Sequence, residues 1–201
     1  MMTHIRIKNI GPIKDVDIDL NRVNVFMGPQ SSGKSTIAKI ISYCSWYEKN
    51  IILGTKPNID FYKELVEFHN FEDAYFCDES LIEYTSPNFH ILFKGVDRKL
   101  SLKKVDVDSV NIFHNKKIEY VPAERNILSV LNKPSNMKEW PKTLASFLET
   151  FEESKLNNKT YDLPIHDAPH FEYDKLNNIS WIKGSNYRIR LTDSSSGYQS
   201  L

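Results

Sequence analysis

The stretch Gly28-Pro29-Gln30-Ser31-Ser32-Gly33-Lys34-Ser35-Thr36 satisfies every fixed position of the pattern G-x-x-x-x-G-K-[ST]. Glycines at these places let the backbone turn so tightly that successive N–H groups point inward and form a nest for phosphate oxygens. Lys34 adds a mobile positive charge for the β and γ phosphates. The Ser35 hydroxyl can replace one water on a magnesium ion, which keeps most of its octahedral shell as water. Thr36 is expected to touch the α-phosphate. The ligand implied is a nucleoside triphosphate with Mg²⁺.

The flanking residues fit such a loop. Upstream, Arg22-Val23-Asn24-Val25-Phe26-Met27 is short, rich in β-branched and aromatic residues, and ends at Gly28, which predicts a buried strand entering the loop. Downstream, Ile37, Ile40, Ile41, Cys44 and Tyr47 repeat at helical spacing, so a helix beginning at Lys34 would aim its dipole at the phosphates.

A chain of 201 residues is long enough for one domain, or one domain with an inserted lobe, around a hydrophobic core. The 26 basic and 26 acidic residues balance to zero net charge, which argues against wholesale electrostatic binding to nucleic acid. Cys44 and Cys77 sit in apolar stretches without C-x-x-C spacing and are expected to be buried free thiols in a reducing cytoplasm. His4, Arg6 and Lys8 interrupt the first ten residues, where an export signal would need a continuous apolar core. No apolar run reaches transmembrane length, so no membrane partner is expected and the location implied is cytoplasmic.

Ile5, Ile7 and Ile10 alternate with polar residues, the chain turns at Gly11-Pro12, and Val16, Ile18 and Leu20 alternate again through Asp15, Asp17 and Asp19. This predicts a hairpin of half-buried strands, so three strands would precede the first helix. The opening "HIRIKNIGPIKDVDIDLNRVNVFMGPQSSGKSTIAKII" resembles that of ATP-binding-cassette ATPases of the SMC, RecF and OLD-nuclease kind. After a short helix around Phe61 to Phe68, Phe89, Ile91 and Phe93 alternate before the turn Gly95-Val96-Asp97-Arg98, with Leu100 and Leu102 beyond it. An antiparallel β-subdomain is expected there. A further strand is expected over Ile112 to Val121, ending in Tyr120-Val121-Pro122-Ala123-Glu124-Arg125-Asn126. That segment is similar to the "Y-[IV]-P-A-E-R" stretch of OLD-like and related bacterial ATPases, where the chain passes from the first lobe to the helical one.

From Ile127 to Asn158 the period is helical, with Pro141 in a first-turn position and Leu144, Leu148 and Phe151 on one face. A polar, aromatic linker follows. Its His166 and His170 have a spacing seen in helical metal sites, but Pro169 argues for a surface loop instead. Ile179-Ser180-Trp181-Ile182 and Tyr187-Arg188-Ile189-Arg190-Leu191 flank Lys183-Gly184-Ser185-Asn186 as a hairpin.

The segment Ser194-Ser195-Ser196-Gly197-Tyr198-Gln199-Ser200-Leu201 is similar to the L-S-G-G-[EQ]-K-S signature of SMC-type heads, with Ser195 and Gly197 on matching positions. The resemblance implies that Ser195, Ser196 and Gly197 reach across a dimer interface to the γ-phosphate on another head. A frayed serine-rich tail is the plainer alternative. An apolar strand ending in Asp-Glu, which would order Mg²⁺ and polarise the attacking water, should follow the signature, and no residues after Leu201 supply it. Ala74-Tyr75-Phe76-Cys77-Asp78-Glu79 mimics that element but precedes the signature, the wrong order for a cassette. Were it genuine, the chain would read as a P-loop kinase or simple NTPase using Asp78. Glu124 occupies roughly the family's Q-loop place and is the candidate catalytic residue, against a structural ion pair in the Glu124 to Arg125 region.

The resemblance therefore implies an α/β P-loop NTPase fold of the ABC-head type: a mixed sheet around the P-loop helix, an antiparallel β-subdomain and an inserted helical lobe, with the Walker B half missing. It divides the chain into a nucleotide-binding lobe over 1–126 and a helical lobe with hairpin over 127–201. It implies ATP and Mg²⁺ as ligands and two heads that dimerise around ATP. DNA or a nuclease partner would be engaged through segments outside this chain, in DNA repair, chromosome handling or phage defence. A nucleotide-binding or dimerisation module without turnover is the alternative.

Overall fold

Alternation of aliphatic with charged residues builds the first two strands, β1 (Thr3–Ile10) and β2 (Ile13–Leu20), paired antiparallel across the Gly11-Pro12 turn. Ile5, Ile7 and Ile10 are fully buried. On the outer face charges face each other across the strands: His4 lies 2.7 Å from Asp17, and Arg6 lies 3.1 Å from Asp15. The computed structural model describes residues 2–56, 59–105, 117–127, 140–156, 160–163 and 168–199.

Contacts divide the chain into two units, Met1–Tyr120 and Val121–Leu201. In the first, β3 (Phe76–Thr85), β4 (Phe89–Lys94) and β5 (Lys99–Lys104) complete a five-stranded sheet in the order β2-β1-β3-β4-β5, antiparallel at every pairing. Helix α1 (Lys34–Leu53) and helix α2 (Phe61–His69) join the sheet's inner side chains in one core cluster. Each helix end has a local cause. Asp60 caps α2 by accepting from the Lys63 amide at 3.1 Å, and Asn70, at φ 50°, ends it; Gly54, at φ 63°, ends α1.

The buried face of α1 carries Ile37, Ile40, Cys44 and Tyr47 as its spacing predicts, together with Tyr43 and a carboxylate, Glu48, that is 0% exposed. Glu48 is satisfied entirely by side chains of the β3–β4 hairpin. Ser86 donates to it at 2.6 Å, Tyr84 at 3.0 Å and Asn88 at 3.0 Å. Three donors on one hairpin thus fix the angle at which the helix crosses the sheet, because a buried carboxylate tolerates no lost partner. Nearby, His69 is 1% exposed and neither ring nitrogen has a hydrogen-bond partner. Its ring meets those of Tyr43, Phe68 and Tyr120 edge to face. Burial, reinforced by the Lys39 charge, pushes its pKa down to about 3.

The second unit holds α3 (Lys142–Leu156) and a four-stranded antiparallel sheet, β6 (Tyr161–Asp162), β7 (His170–Asp174), β8 (Ile179–Lys183) and β9 (Arg188–Arg190), in that order. Among its described residues, Leu144, Leu148, Pro169, Ile182 and Leu191 are buried. A short helix, α4 (Ser196–Gln199), follows.

Several expectations change. Arg22 to Met27 forms no strand, and Val23, Val25 and Met27 are 75%, 74% and 88% exposed, so two strands rather than three precede α1. An extended segment becomes a strand only where a neighbouring strand takes up its backbone hydrogen bonds, and among the described residues no strand pairs with this one. The expected mixed sheet is correspondingly antiparallel throughout. Cys77 is exposed whereas Cys44 is buried. Cys77 opens β3 at a point where the β1–β3 register slips, so its side chain leaves the core face. The predicted hairpin of the second unit is one end of a larger sheet, because Phe171 and Tyr173 make a strand of what reads as a linker and that strand pairs with β8. His170 lies on that strand, 2.6 Å from Asp162, while His166 lies outside the described residues. So do residues 112–116 of the expected strand at Ile112 to Val121; its described remainder, 117–121, has no strand.

Candidate nucleotide site

The loop Gly28 to Gly33 leads straight into α1, whose N-cap is Gly33 in the left-handed region at φ 91°. The first helical bond runs from the Ile37 amide to the Gly33 carbonyl at 2.9 Å. The amides of Lys34, Ser35 and Thr36 therefore have no acceptor within the helix. No side chain caps this end and no acidic residue lies in its first turn, so nothing on the helix compensates the positive pole of the dipole. A phosphate group is what such an end accepts.

Lys34 belongs to the same cradle. Its ammonium donates to the Gly28 carbonyl at 2.8 Å and to the Pro29 carbonyl, with the Ser32 hydroxyl at 3.4 Å. The loop thus curls around its own lysine, and Ser31 takes a left-handed conformation at φ 61° to permit it. Pro29, Gln30, Ser31 and Ser32 are exposed, as is Ser35, the residue expected to meet magnesium. Thr36 is 6% exposed and sits on the helix's core side. Free amides, an exposed hydroxyl and a lysine converging on one glycine turn fit a magnesium-bound triphosphate.

One contact escapes sequence reasoning. A β-carbon built on Gly33 would stand 2.9 Å from Ile13 Cγ1 and 3.2 Å from Pro12 Cγ, so the β1–β2 turn is pressed against the last residue of the loop. Gly11-Pro12 signals a turn in the sequence, and nothing in it tells what the turn touches.

The other candidates belong to different surroundings. Asp78 and Glu79 lie near the start of β3, a strand paired antiparallel to β1 and β4, rather than at the end of a parallel strand beside the loop. The Cys77 thiol and the Glu79 amide hold the Glu79 carboxyl below the usual range. Glu124 lies in a 3-10 turn over Ala123–Arg125 in the second unit, exposed and without an ion pair among the described residues. Ser195 and Gly197 are exposed at the start of α4; residues 200 and 201 lie outside the described residues. The segment is held in place by its neighbours. The Ser194 hydroxyl donates to Leu191 O at 2.7 Å, the Gln199 amide side chain reaches Ser194 O at 3.0 Å, and the hydroxyls of Tyr187 and Tyr198 meet at 2.7 Å.

Among the described residues no cluster of three metal-binding side chains occurs, and no helix is long and apolar enough to cross a membrane. Comparison with curated proteins and with solved structures yields no match. A family model described as an AAA domain matches residues 4–179. That span takes in the glycine loop, α1 and the five-stranded sheet, and the chain accordingly belongs to the AAA domain family of P-loop ATPases, which bind ATP with Mg²⁺.

Proposed function

We propose that this chain grips MgATP in an ATPase head of the SMC, RecF and OLD-nuclease kind, and that its ATP-bound form pairs with a second copy. The observation that carries the reading is the uncapped first turn of α1 behind Gly28 to Gly33, with Lys34 folded over the same loop. In this reading Lys34 swings from the loop carbonyls to the phosphates, Ser35 takes a magnesium position, and the amides from Gly33 to Thr36 hold the phosphate oxygens. Ser195, Ser196 and Gly197 present their backbone N–H groups to the γ-phosphate bound on the second copy. Glu124 orients the magnesium shell or the attacking water. Asp78 and Glu79 have no part in it, because their strand runs antiparallel in the five-stranded sheet. The work served would be DNA repair, chromosome handling or phage defence.

The test is the oligomeric state with nucleotide. Light scattering on the chain with a slowly hydrolysed ATP analogue and Mg²⁺ should show dimers that vanish without nucleotide. Ser195→Arg should remain monomeric while still gaining thermal stability from the analogue, since in this reading the residue meets the phosphate held by the second copy. A chain that stays monomeric at saturating analogue contradicts the pairing.

A further inference from the structure

Gly11, the first residue of the β1–β2 turn, has φ 50°, and its amide donates to Tyr75 O at 2.8 Å. A β-carbon on Gly11 would fall onto the Tyr75 ring, so the Cδ1–Cε1 side of that ring lies against the turn. In the same turn Pro12, and with it Ile13 at the start of β2, press on Gly33. Tyr75 in turn lies tilted against Phe71 with centroids 5.5 Å apart, and the Lys39 ammonium of α1 stands 5.2 Å from the Phe71 ring. Lys39 also donates to His69 O at 3.0 Å. These contacts close a circuit that starts at the loop's last glycine and returns to α1 on its second turn.

From this circuit we infer that Tyr75 and the Gly11-Pro12-Ile13 turn are positioning residues for the nucleotide site, acting through Gly33. The inference rests on the proposed nucleotide reading and deepens it. Gly33 is held at a positive φ by what presses on it, and that angle sets the direction of the Lys34, Ser35 and Thr36 amides. Loosening the turn lets the first turn of α1 fray and scatters the donors before any phosphate arrives. Binding then has to reorder them, which lowers affinity without removing a ligand contact. Tyr75 works through its ring, since the contact to Gly11 is made by ring carbons.

The experiment uses the full chain with Tyr75→Ala, Tyr75→Phe and Pro12→Gly. Tyr75 is 36% exposed and Pro12 is exposed, so these changes spare the deepest core. Hydrogen exchange should show the Ile37 amide losing about tenfold protection in Tyr75→Ala and Pro12→Gly, while Cys44 and Tyr47 amides later in α1 keep theirs. A merely structural role would lower protection along the whole helix together. Titration with MgATP should give a Kd raised about tenfold in those two variants and unchanged in Tyr75→Phe. Uniform loss of protection, or an unchanged Kd in folded Tyr75→Ala and Pro12→Gly alongside a parent that binds, overturns the positioning role. A parent that does not bind MgATP overturns the nucleotide reading itself, while the exchange pattern still decides whether the turn holds the loop.

Discussion

Two stretches with the same alternation meet different fates. In β2, Val16, Ile18 and Leu20 pack against the core, whereas Val23, Val25 and Met27, a few residues on, stand in solvent. Both carry apolar residues at every second position. The difference is the neighbour: β2 has β1 beside it in register over its whole length, and 22–27 has no strand alongside among the described residues. Alternation states that a strand has one apolar face, and pairing decides whether the face is used.

Mutation gives the sharpest separation of the two. Ile7→Ala, at a fully buried site, should cost about 2–5 kcal/mol, and Val25→Ala should stay within about 0.5 kcal/mol. Urea unfolding of both variants checks this; a Val25→Ala cost of the Ile7 size would mean that 22–27 is covered in solution.

Glu48 measures how firmly α1 is tied to the sheet that β2 belongs to. Glu48→Ala strands the Tyr84, Ser86 and Asn88 donors, at about 1–3 kcal/mol for each left unsatisfied. Glu48→Gln, which keeps acceptor capacity, should cost less. Equal losses would show that the charge rather than the hydrogen-bond pattern matters.

His69 adds a pH dependence to the same core. Its folded pKa, about 3, lies below the ordinary 6.5, so on acidification the unfolded chain takes the proton first. Its contribution to stability is intact above pH 6.5 and is lost as the pH falls from 6.5 towards 3, with a slope of up to about 1.4 kcal/mol per pH unit. His69→Phe should flatten that part of the profile; an unchanged slope would assign it to other groups.

The smallest effect belongs to the outer face of β1 and β2. Asp17 meets His4 and Arg6 in exposed pairs, so Asp17→Asn should cost about 0–1 kcal/mol and less in high salt.

The sequence makes legible what depends on local pattern. The β1–β2 alternation, the face of α1 through Ile37, Ile40, Cys44 and Tyr47, and the glycine loop all read directly, because spacing determines them. Glu48 shares that helical face, four residues after Cys44, and could have been noticed as a charge on an apolar stripe; its three donors, about 40 residues away, could not. Neither could the Tyr75 ring on Gly11 or the Ile13 side chain against Gly33, since both are tertiary contacts that no local spacing encodes. Cys77 misleads for a related reason. Its apolar neighbours suggest burial, but the register slip between β1 and β3 turns it outward.

Whether Gly28 to Thr36 form a working phosphate cradle is tested most directly at Lys34. Unfolding should be followed for the parent and Lys34→Ala with and without MgATP. The parent should gain about 2.7 kcal/mol at a nucleotide concentration a hundredfold above its Kd. Lys34→Ala should gain nothing at that concentration, yet unfold within about 0.5 kcal/mol of the parent when nucleotide is omitted, because the lysine's partners are exposed loop groups. Equal stabilisation of the two proteins by MgATP would contradict the assignment of Gly28 to Thr36 as the nucleotide site.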